Sequence, residues 1–209
     1  MNIVIIGDVH GCYKTFKALV EKAWNPKEDI LIQIGDLINK GPDSFSCIKY
    51  LRKLQEKYPG QVFYIMGNHE YAVFRKLPSK TKLQKEFKKH IKSKGGDYKE
   101  IKTYLKTLPL KWENEKILIT HAGISIRAKY PYKAANPSGV LFNRSKILNV
   151  NKLQVVGHTI VSGHEPIYSK TENVWRIDTG AWCKKYLSSI KLNAKGKLLD
   201  IARIKRLDI

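Results

Sequence analysis

Short apolar runs alternate with helix-like segments along the first third of the sequence. Asn2–Ile6, Leu31–Ile34 and Gln61–Met66 read as strands, with helices at Tyr13–Ala23 and Ser44–Lys57 between them. A strand that is apolar at almost every position is buried on both of its faces. The pattern therefore predicts an α/β fold with a parallel sheet that helices cover on both sides. Later strands are predicted at Lys116–Thr120, Leu153–Val156, Val174–Ile177, Ser188–Leu192 and Leu198–Ile204.

A lysine-rich stretch from Lys76 to Lys111 interrupts this alternation. It contains twelve lysines against three acidic residues, and the pair Gly95-Gly96 divides it. We interpret it as a helical insertion within one domain that spans residues 1–209, because its composition does not supply a core of its own. Its histidine, His90, is expected to lie on the solvated surface.

The formal net charge of +21 points to polyanionic partners such as nucleic acid. Few aromatic residues lie among the lysines, so nucleic-acid binding is kept as an alternative function. No apolar run is long enough to cross a membrane, and we expect no membrane partner. The first residues, MNIVIIGDVHG, lack the features of a signal peptide, and Cys12, Cys47 and Cys183 are too widely spaced for a metal or redox motif. These features predict reduced thiols and a cytoplasmic location.

Polar side chains follow the predicted strands at the points where these strands end. Ligands of open α/β sheets bind beyond the carboxyl ends of the strands, so we expect these side chains to converge in one crevice. Four of the six histidines in the chain occupy such positions. The cluster comprises Asp8, His10, Asp36, Asn68, His69, Glu70, His121 and His158.

The donor types in this cluster indicate a metal centre. Two aspartates, an asparagine and three histidines offer oxygen and nitrogen ligands without a thiolate, which argues against a structural zinc site. Such ligands suit manganese, iron or zinc at higher coordination numbers. Six ligands are too many for one ion that keeps open positions. They fit two ions with a shared carboxylate, an arrangement that clamps the attacking and leaving oxygens of a phosphoryl transfer.

Five motifs carry a family resemblance: GDVHG, GDLINKG, GNHE, HAG and GHT, in this order. Together they resemble the calcineurin-like metallophosphoesterases, and most closely the phosphoprotein-phosphatase branch. That branch includes small bacterial and phage serine/threonine phosphatases and the symmetrical diadenosine tetraphosphatases. The resemblance runs from Gly7 to about Leu192. It implies a sandwich of two β-sheets flanked by α-helices, with a dinuclear centre of divalent ions, for which manganese is expected and iron, zinc, nickel or cobalt are compatible.

The resemblance also implies a role for each matching residue. Asp8 and His10 would hold the first ion, Asp36 would bridge both ions, and Asn68, His121 and His158 would complete the second. His69 would be the general acid, while Lys40 and Arg144 would neutralise the phosphoryl oxygens. His158 is preferred over His164 as a ligand because it directly follows an apolar strand, and Asp178 is interpreted as structural.

Three positions depart from the phosphatase pattern. Asn39 stands where an acid would orient the catalytic histidine, Lys40 where an arginine would bind phosphate, and Met66 where many protein phosphatases have a further arginine. The tetraphosphatases also lack that acid and that further arginine. The leading hypothesis is hydrolysis of phosphomonoesters, in which a phosphorylated protein or a small phosphoester is the substrate. Hydrolysis of symmetrical dinucleoside tetraphosphates is the first alternative, and non-catalytic nucleic-acid binding is the second. The sequence predicts no oligomeric state.

Overall fold

The computed structural model describes residues 1–75 and 81–209. Within these ranges the strands are β1 (Asn2–Ile6), β2 (Asp29–Gln33), β3 (Val62–Tyr64), β4 (Lys111–Glu113), β5 (Ile117–Thr120), β6 (Leu153–Val156), β7 (Ile167–Ser169), β8 (Val174–Arg176), β9 (Tyr186–Leu192) and β10 (Leu198–Lys205). The helices are α1 (Tyr13–Ala23), α2 (Ser44–Lys57), α3 (Asn68–Phe74), α4 (Thr81–Ser93) and α5 (Tyr98–Lys106).

The strands form two mixed sheets of five strands each, in the orders β10-β9-β1-β2-β3 and β4-β5-β6-β8-β7. Strands β1, β2 and β3 are parallel, while β9 and β10 run antiparallel beside them. In the second sheet, β5, β6 and β8 are parallel and the edge strands β4 and β7 are antiparallel. The predicted α/β sandwich is confirmed, whereas the expectation of one parallel sheet is wrong.

Strand β1 shows why its sequence resembles a strand of a parallel sheet covered by helices. Ile3 and Ile5 pack into the apolar layer between the two sheets. Val4 and Ile6 point the other way, into the core that includes Phe16 of α1. Both faces are buried, so the strand carries no polar alternation, although a second sheet rather than a helix layer covers one of them.

The described part of the lysine-rich stretch forms α4 and α5, with Gly95-Gly96 between them; residues 76–80 of the predicted insertion lie outside the described residues. The expectation that His90 is solvated is wrong. His90 is half-buried, and its Nε2 accepts a hydrogen bond of 3.3 Å from the backbone N–H of Phe45. The same nitrogen lies 3.5 Å from the carboxylate of Asp43, which caps α2. Helix α4 is therefore packed against the beginning of α2.

Most predicted elements lie within two or three residues of the observed ones, but three elements were missed. These are α3, which begins inside the GNHE motif, and the short edge strands β4 and β7. In the ranges that the structure covers, no helix combines the length and the apolarity that crossing a membrane would take.

Candidate metal centre

The polar residues predicted from strand ends lie together on one side of the sandwich. Asp8 and His10 follow β1, Asp36 follows β2, and Asn68 and His69 begin α3 just after β3. From the second sheet, His121 follows β5 and His158 follows β6. All of them are buried except His158, which is partly exposed. His164 belongs to neither of the two groups of described residues that are close enough to share an ion, and its backbone carbonyl accepts a hydrogen bond from Arg203.

Asp36 lies at the middle of the cluster. Its Oδ2 is 3.5 Å from Nε2 of His10 and 3.9 Å from Nε2 of His69. Its Oδ1 is 3.5 Å from Nε2 of His121 and accepts a hydrogen bond of 2.9 Å from the backbone N–H of His69. The two oxygens of one carboxylate thus face two different groups of histidines.

The second group is compact. Oδ1 of Asn68 lies 3.0 Å from Nε2 of His121 and 2.9 Å from Nδ1 of His158. The two histidine nitrogens are 3.2 Å apart. Asp8 approaches this group from β1, because its carboxylate accepts the backbone N–H of His158 at 3.1–3.2 Å.

The backbone fixes which ring nitrogens face the centre. Nδ1 of His10 is 3.1 Å from the carbonyl of Ile38, and Nδ1 of His121 is 3.0 Å from the carbonyl of Ile34. A carbonyl only accepts, so in each neutral ring Nδ1 carries the proton and Nε2 presents its lone pair. Metal-binding histidines are oriented in this way by their outer partners.

Burial keeps these histidines neutral. Desolvation lowers the pKa of His121 to about 3, and desolvation, to which the neighbouring imidazole of His121 adds, lowers the pKa of His158 to about 2. Desolvation and Lys40 lower the pKa of His10 well below its usual value. Conversely, burial and the neighbouring carboxylates of Asp178 and Asp36 raise the pKa of Asp8.

The donor set fits divalent ions. The Nε2 lone pairs of His10 and His121 face the carboxylate oxygens of Asp36 at 3.5 Å, although neither side can donate to the other, and a cation removes this conflict. Two groups meet the distance requirement for a shared ion within the described residues: His10, Asp36 and His69, and Asp36, His121 and His158. Asp36 belongs to both groups. The first contains His69 where the sequence predicted Asp8.

The turns around the cluster leave no room for larger residues. A Cβ on Gly157 would collide with Oδ1 of Asp8, and one on Gly67 would collide with the backbone and carboxylate of Asp36. His10, Asp36 and His158 adopt left-handed backbone conformations, with φ of 50°, 52° and 67°. Such conformations cost about 1–3 kcal/mol each and concentrate at functional sites.

Glu70 is a positioning residue to which sequence reasoning gave no role. Its fully buried carboxylate accepts four backbone N–H groups, from Asp36 (2.8 Å), Leu37 (3.0 Å), Ile38 (3.3 Å) and Gly67 (2.9 Å). It therefore ties the turn that carries Asp36 to the start of α3. An acidic residue in the first turn of a helix, directly after a buried strand, is the signal that could have revealed it.

His69 is held by the residue that replaces the usual acid. Nδ2 of Asn39 lies 3.3 Å from Nδ1 of His69, and the ring of His69 packs edge-on against that of His10 at 4.8 Å. The amide nitrogen donates to Nδ1, so the neutral ring carries its proton on Nε2. A carboxylate would instead accept from Nδ1–H, and the amide brings no negative charge to stabilise an imidazolium ion.

Two cations border the cluster. Nζ of Lys40 lies 3.2 Å from Nε2 of His10 and 4.4 Å from the centre of the Trp182 ring. Arg144 is exposed at the opposite side, near enough for its charge to lower the pKa of both His121 and His158. Trp182, whose ring lies 6.2 Å from that of His10, is a second residue that sequence reasoning missed.

Comparison with solved structures finds the same fold. A protein serine/threonine phosphatase from Saccharomyces cerevisiae superposes with a TM-score of 0.72 at 14% identity, over 100% of this chain and 81% of that one. A metallophosphoesterase from Sphaerobacter thermophilus superposes with a TM-score of 0.66 at 18% identity, over 99% and 89% of the two chains. At these identities the likeness is one of fold alone.

Comparison by sequence finds relatives named as tetraphosphatases. The symmetrical bis(5′-nucleosyl)-tetraphosphatase of Buchnera aphidicola subsp. Schizaphis graminum is 37% identical over 130 residues, which is 60% of this chain and 45% of the relative. The corresponding protein of Wigglesworthia glossinidia brevipalpis is 33% identical over 127 residues, again 45% of its length. The chain thus spans about half the length of the curated relatives that it matches.

The family model described as calcineurin-like phosphoesterase matches residues 1–192. That range includes both sheets except β10, and every residue of the cluster. The chain therefore belongs to the calcineurin-like phosphoesterases, a family of metal-dependent phosphoester hydrolases.

Proposed function

We propose that the chain hydrolyses dinucleoside polyphosphates symmetrically at a centre of two divalent ions. The observation that carries the reaction class is the position of Asp36, whose two oxygens face two separate groups of histidines. The substrate class is supported by the curated relatives, which are named symmetrical tetraphosphatases. These names favour this alternative over the leading hypothesis of a phosphomonoesterase.

The ligands proposed for the two ions follow the sequence prediction. Asp8 and His10 would hold one ion, Asp36 would be shared by both, and Asn68, His121 and His158 would hold the other. Bound there, divalent ions supply Lewis acidity to the phosphoryl oxygens and to the attacking water. The preference for manganese and the cytoplasmic location stay predictions.

The side chains around the ions bind the phosphate chain. Lys40, whose Nζ lies 3.2 Å from Nε2 of His10, binds a phosphoryl oxygen as a point charge. Arg144 approaches from the opposite side. Met66 is buried and apolar, so the position that many protein phosphatases fill with an arginine contributes no charge here.

His69 supplies a proton to the leaving oxygen. Water adds to one of the two central phosphorus atoms, and the bond between that phosphorus and the bridging oxygen breaks. The bridging oxygen leaves on the second nucleoside diphosphate and takes the proton from His69. Both products are nucleoside diphosphates, and Asn39 keeps the ring of His69 in place through Nδ1.

Substrate preference tests the proposal directly. With manganese present, kcat/KM for diadenosine tetraphosphate is expected to exceed that for a phosphoserine peptide by about tenfold or more. Chromatography should find ADP as the sole nucleotide product. A preference for the peptide would restore the phosphomonoesterase hypothesis. Salt-dependent binding of RNA or DNA without hydrolysis of either substrate would support the nucleic-acid alternative.

Asp36→Asn tests the shared carboxylate. We expect this variant to lose most of its bound metal, because both ions depend on the same carboxylate. Asp200→Asn, on the exposed strand β10, is the matched control and is expected to keep the metal content of the unaltered protein. Elemental analysis after gel filtration measures the content. Two tightly bound ions per chain in Asp36→Asn would contradict the bridging role.

His69→Asn separates chemistry from metal binding. Metal content should stay nearly intact, while turnover falls by about 10²–10⁴, the usual contribution of general acid–base catalysis. The loss should be larger for an alkyl phosphate than for an aryl phosphate, whose leaving oxygen needs less protonation. Asn39→Asp, which adds a carboxylate beside the ring, is expected to raise activity on the alkyl substrate. Equal losses on both substrates would indicate that His69 binds substrate instead.

Removal of the metal should make stability sensitive to pH through His158. Folding lowers the pKa of this histidine from 6.5 to about 2. The unfolded chain therefore takes up a proton that the folded chain refuses as the pH falls below about 6.5. Each such proton removes about 1.4 kcal/mol of stability per pH unit.

The raised pKa values of Asp8, Glu70 and Asp178 act in the opposite direction, so the informative quantity is a difference between two proteins. Urea unfolding with a chelator present, at pH 6.5 and at pH 5.5, should show that His158→Gln loses less stability than the unaltered protein by about 1 kcal/mol, because the unfolded histidine is only half protonated at the start of this interval. Identical pH dependences would show that His158 is not held neutral.

A further inference from the structure

A cavity of about 300 Å³ lies directly beside the metal centre. One wall is the turn after β2, with Asn39 and Lys40. The other is helix α4, with Leu83, Glu86 and Phe87. The cavity therefore joins the turn that carries catalytic residues to the lysine-rich insertion.

The cavity opens on the side of the centre where His69 lies. Asn39, which lines the cavity, contacts Nδ1 of His69 at 3.3 Å. Lys40, which also lines it, lies 3.2 Å from Nε2 of His10. A group bound in the cavity is thus placed next to the proposed proton donor, on the side from which the leaving group departs.

Helix α4, which forms one wall of the cavity, is held in place by contacts to the rest of the domain. Phe87 and Ile91 bury their side chains in the main core. Farther along, Nε2 of His90 accepts the backbone N–H of Phe45, and Lys94 pairs with Asp43 at 3.3 Å. These contacts hold α4 against the start of α2, so the shape of the cavity is preformed.

The lining suits a nucleoside. Leu83 provides apolar surface for a base, with the buried Phe87 behind it. The carboxylate of Glu86 can accept from ribose hydroxyls or an exocyclic amine, and Lys40 faces the phosphate end. The volume is at the lower limit of small-molecule pockets, which fits one nucleoside rather than a folded peptide segment. We propose that this cavity binds the nucleoside of the leaving nucleoside diphosphate, an inference that rests on the proposed function.

Leu83→Trp tests the pocket by filling it. The measured quantity is the ratio of kcat/KM for diadenosine tetraphosphate to that for inorganic tetraphosphate, which has no nucleoside to place. We expect this ratio to fall by about tenfold or more, because filling the cavity removes the contacts that a base would make there. Lys85→Trp is the matched control. It is two residues along α4, on the other side of the helix and exposed, and should keep the ratio of the unaltered protein. An unchanged ratio in Leu83→Trp would overturn the proposal.

A second measurement needs no variant. ADP and inorganic pyrophosphate are compared as inhibitors of aryl phosphate hydrolysis by the unaltered protein with manganese. A nucleoside pocket predicts an inhibition constant for ADP that is lower by about tenfold or more, and equal constants would overturn the pocket. If diadenosine tetraphosphate is not hydrolysed at all, the proposed function is wrong, while the inhibition constants still report on the pocket.

Discussion

The burial of the Asp36 carboxylate is the constraint on which the rest of the site depends. A carboxylate removed from water is costly unless cations or hydrogen bonds compensate it. The backbone N–H of His69 donates to one of its oxygens, and His10 and His121, which face the carboxylate, are kept neutral by their own burial. Cations would compensate the negative charge further, and the two oxygens of Asp36 face two groups of residues that could each hold one. The same burial that destabilises the empty cluster therefore favours the binding of divalent ions.

Holding this cluster imposes a second cost on the turns that carry it. Left-handed backbone at His10, Asp36 and His158 is unfavourable, and it persists because other contacts fix the turns. Glu70 provides the largest of these contacts, since its carboxylate accepts N–H groups from three consecutive residues of the turn after β2. Hydrogen bonds of this kind stabilise by roughly 0.5–1.5 kcal/mol each, so three of them offset the strain in the turn that carries Asp36. The sandwich thus positions the strand ends, and Glu70 sets the conformation between them.

The sequence predicted the strand ends well because the signal there is local. A buried apolar run followed by glycine and a polar residue, as at Asp8 and His158, is visible without any knowledge of the partner strand. Strands β4 and β7 lack that signal, since they are short, exposed edge strands such as Lys111–Glu113. The sequence pattern could not show whether a second sheet or a layer of helices covers β1. A residue such as Ile5 packs equally well against apolar side chains from a strand or from a helix. Glu70 and Trp182 contact residues that are far from them in the sequence, such as Asp36 and His10. The sequence therefore showed that these two residues follow strands, but it could not show which residues they contact.

The lysine-rich insertion is a second case in which the sequence did not reveal the tertiary contacts. Its composition suggested a solvated surface, and its exposed lysines fit that description. The residues that matter for the site are the few that are not lysine: Phe87 anchors the helix, His90 contacts the start of α2, and Leu83 faces the turn after β2. Because the strand ends are fixed by two packed sheets, the chemistry of the centre has little freedom to change. Helix α4 has more freedom to change, because replacing Leu83 alters the space beside His69 without touching a proposed metal ligand. On the proposed function, substrate choice would therefore depend most on helix α4, the element whose composition said least about it.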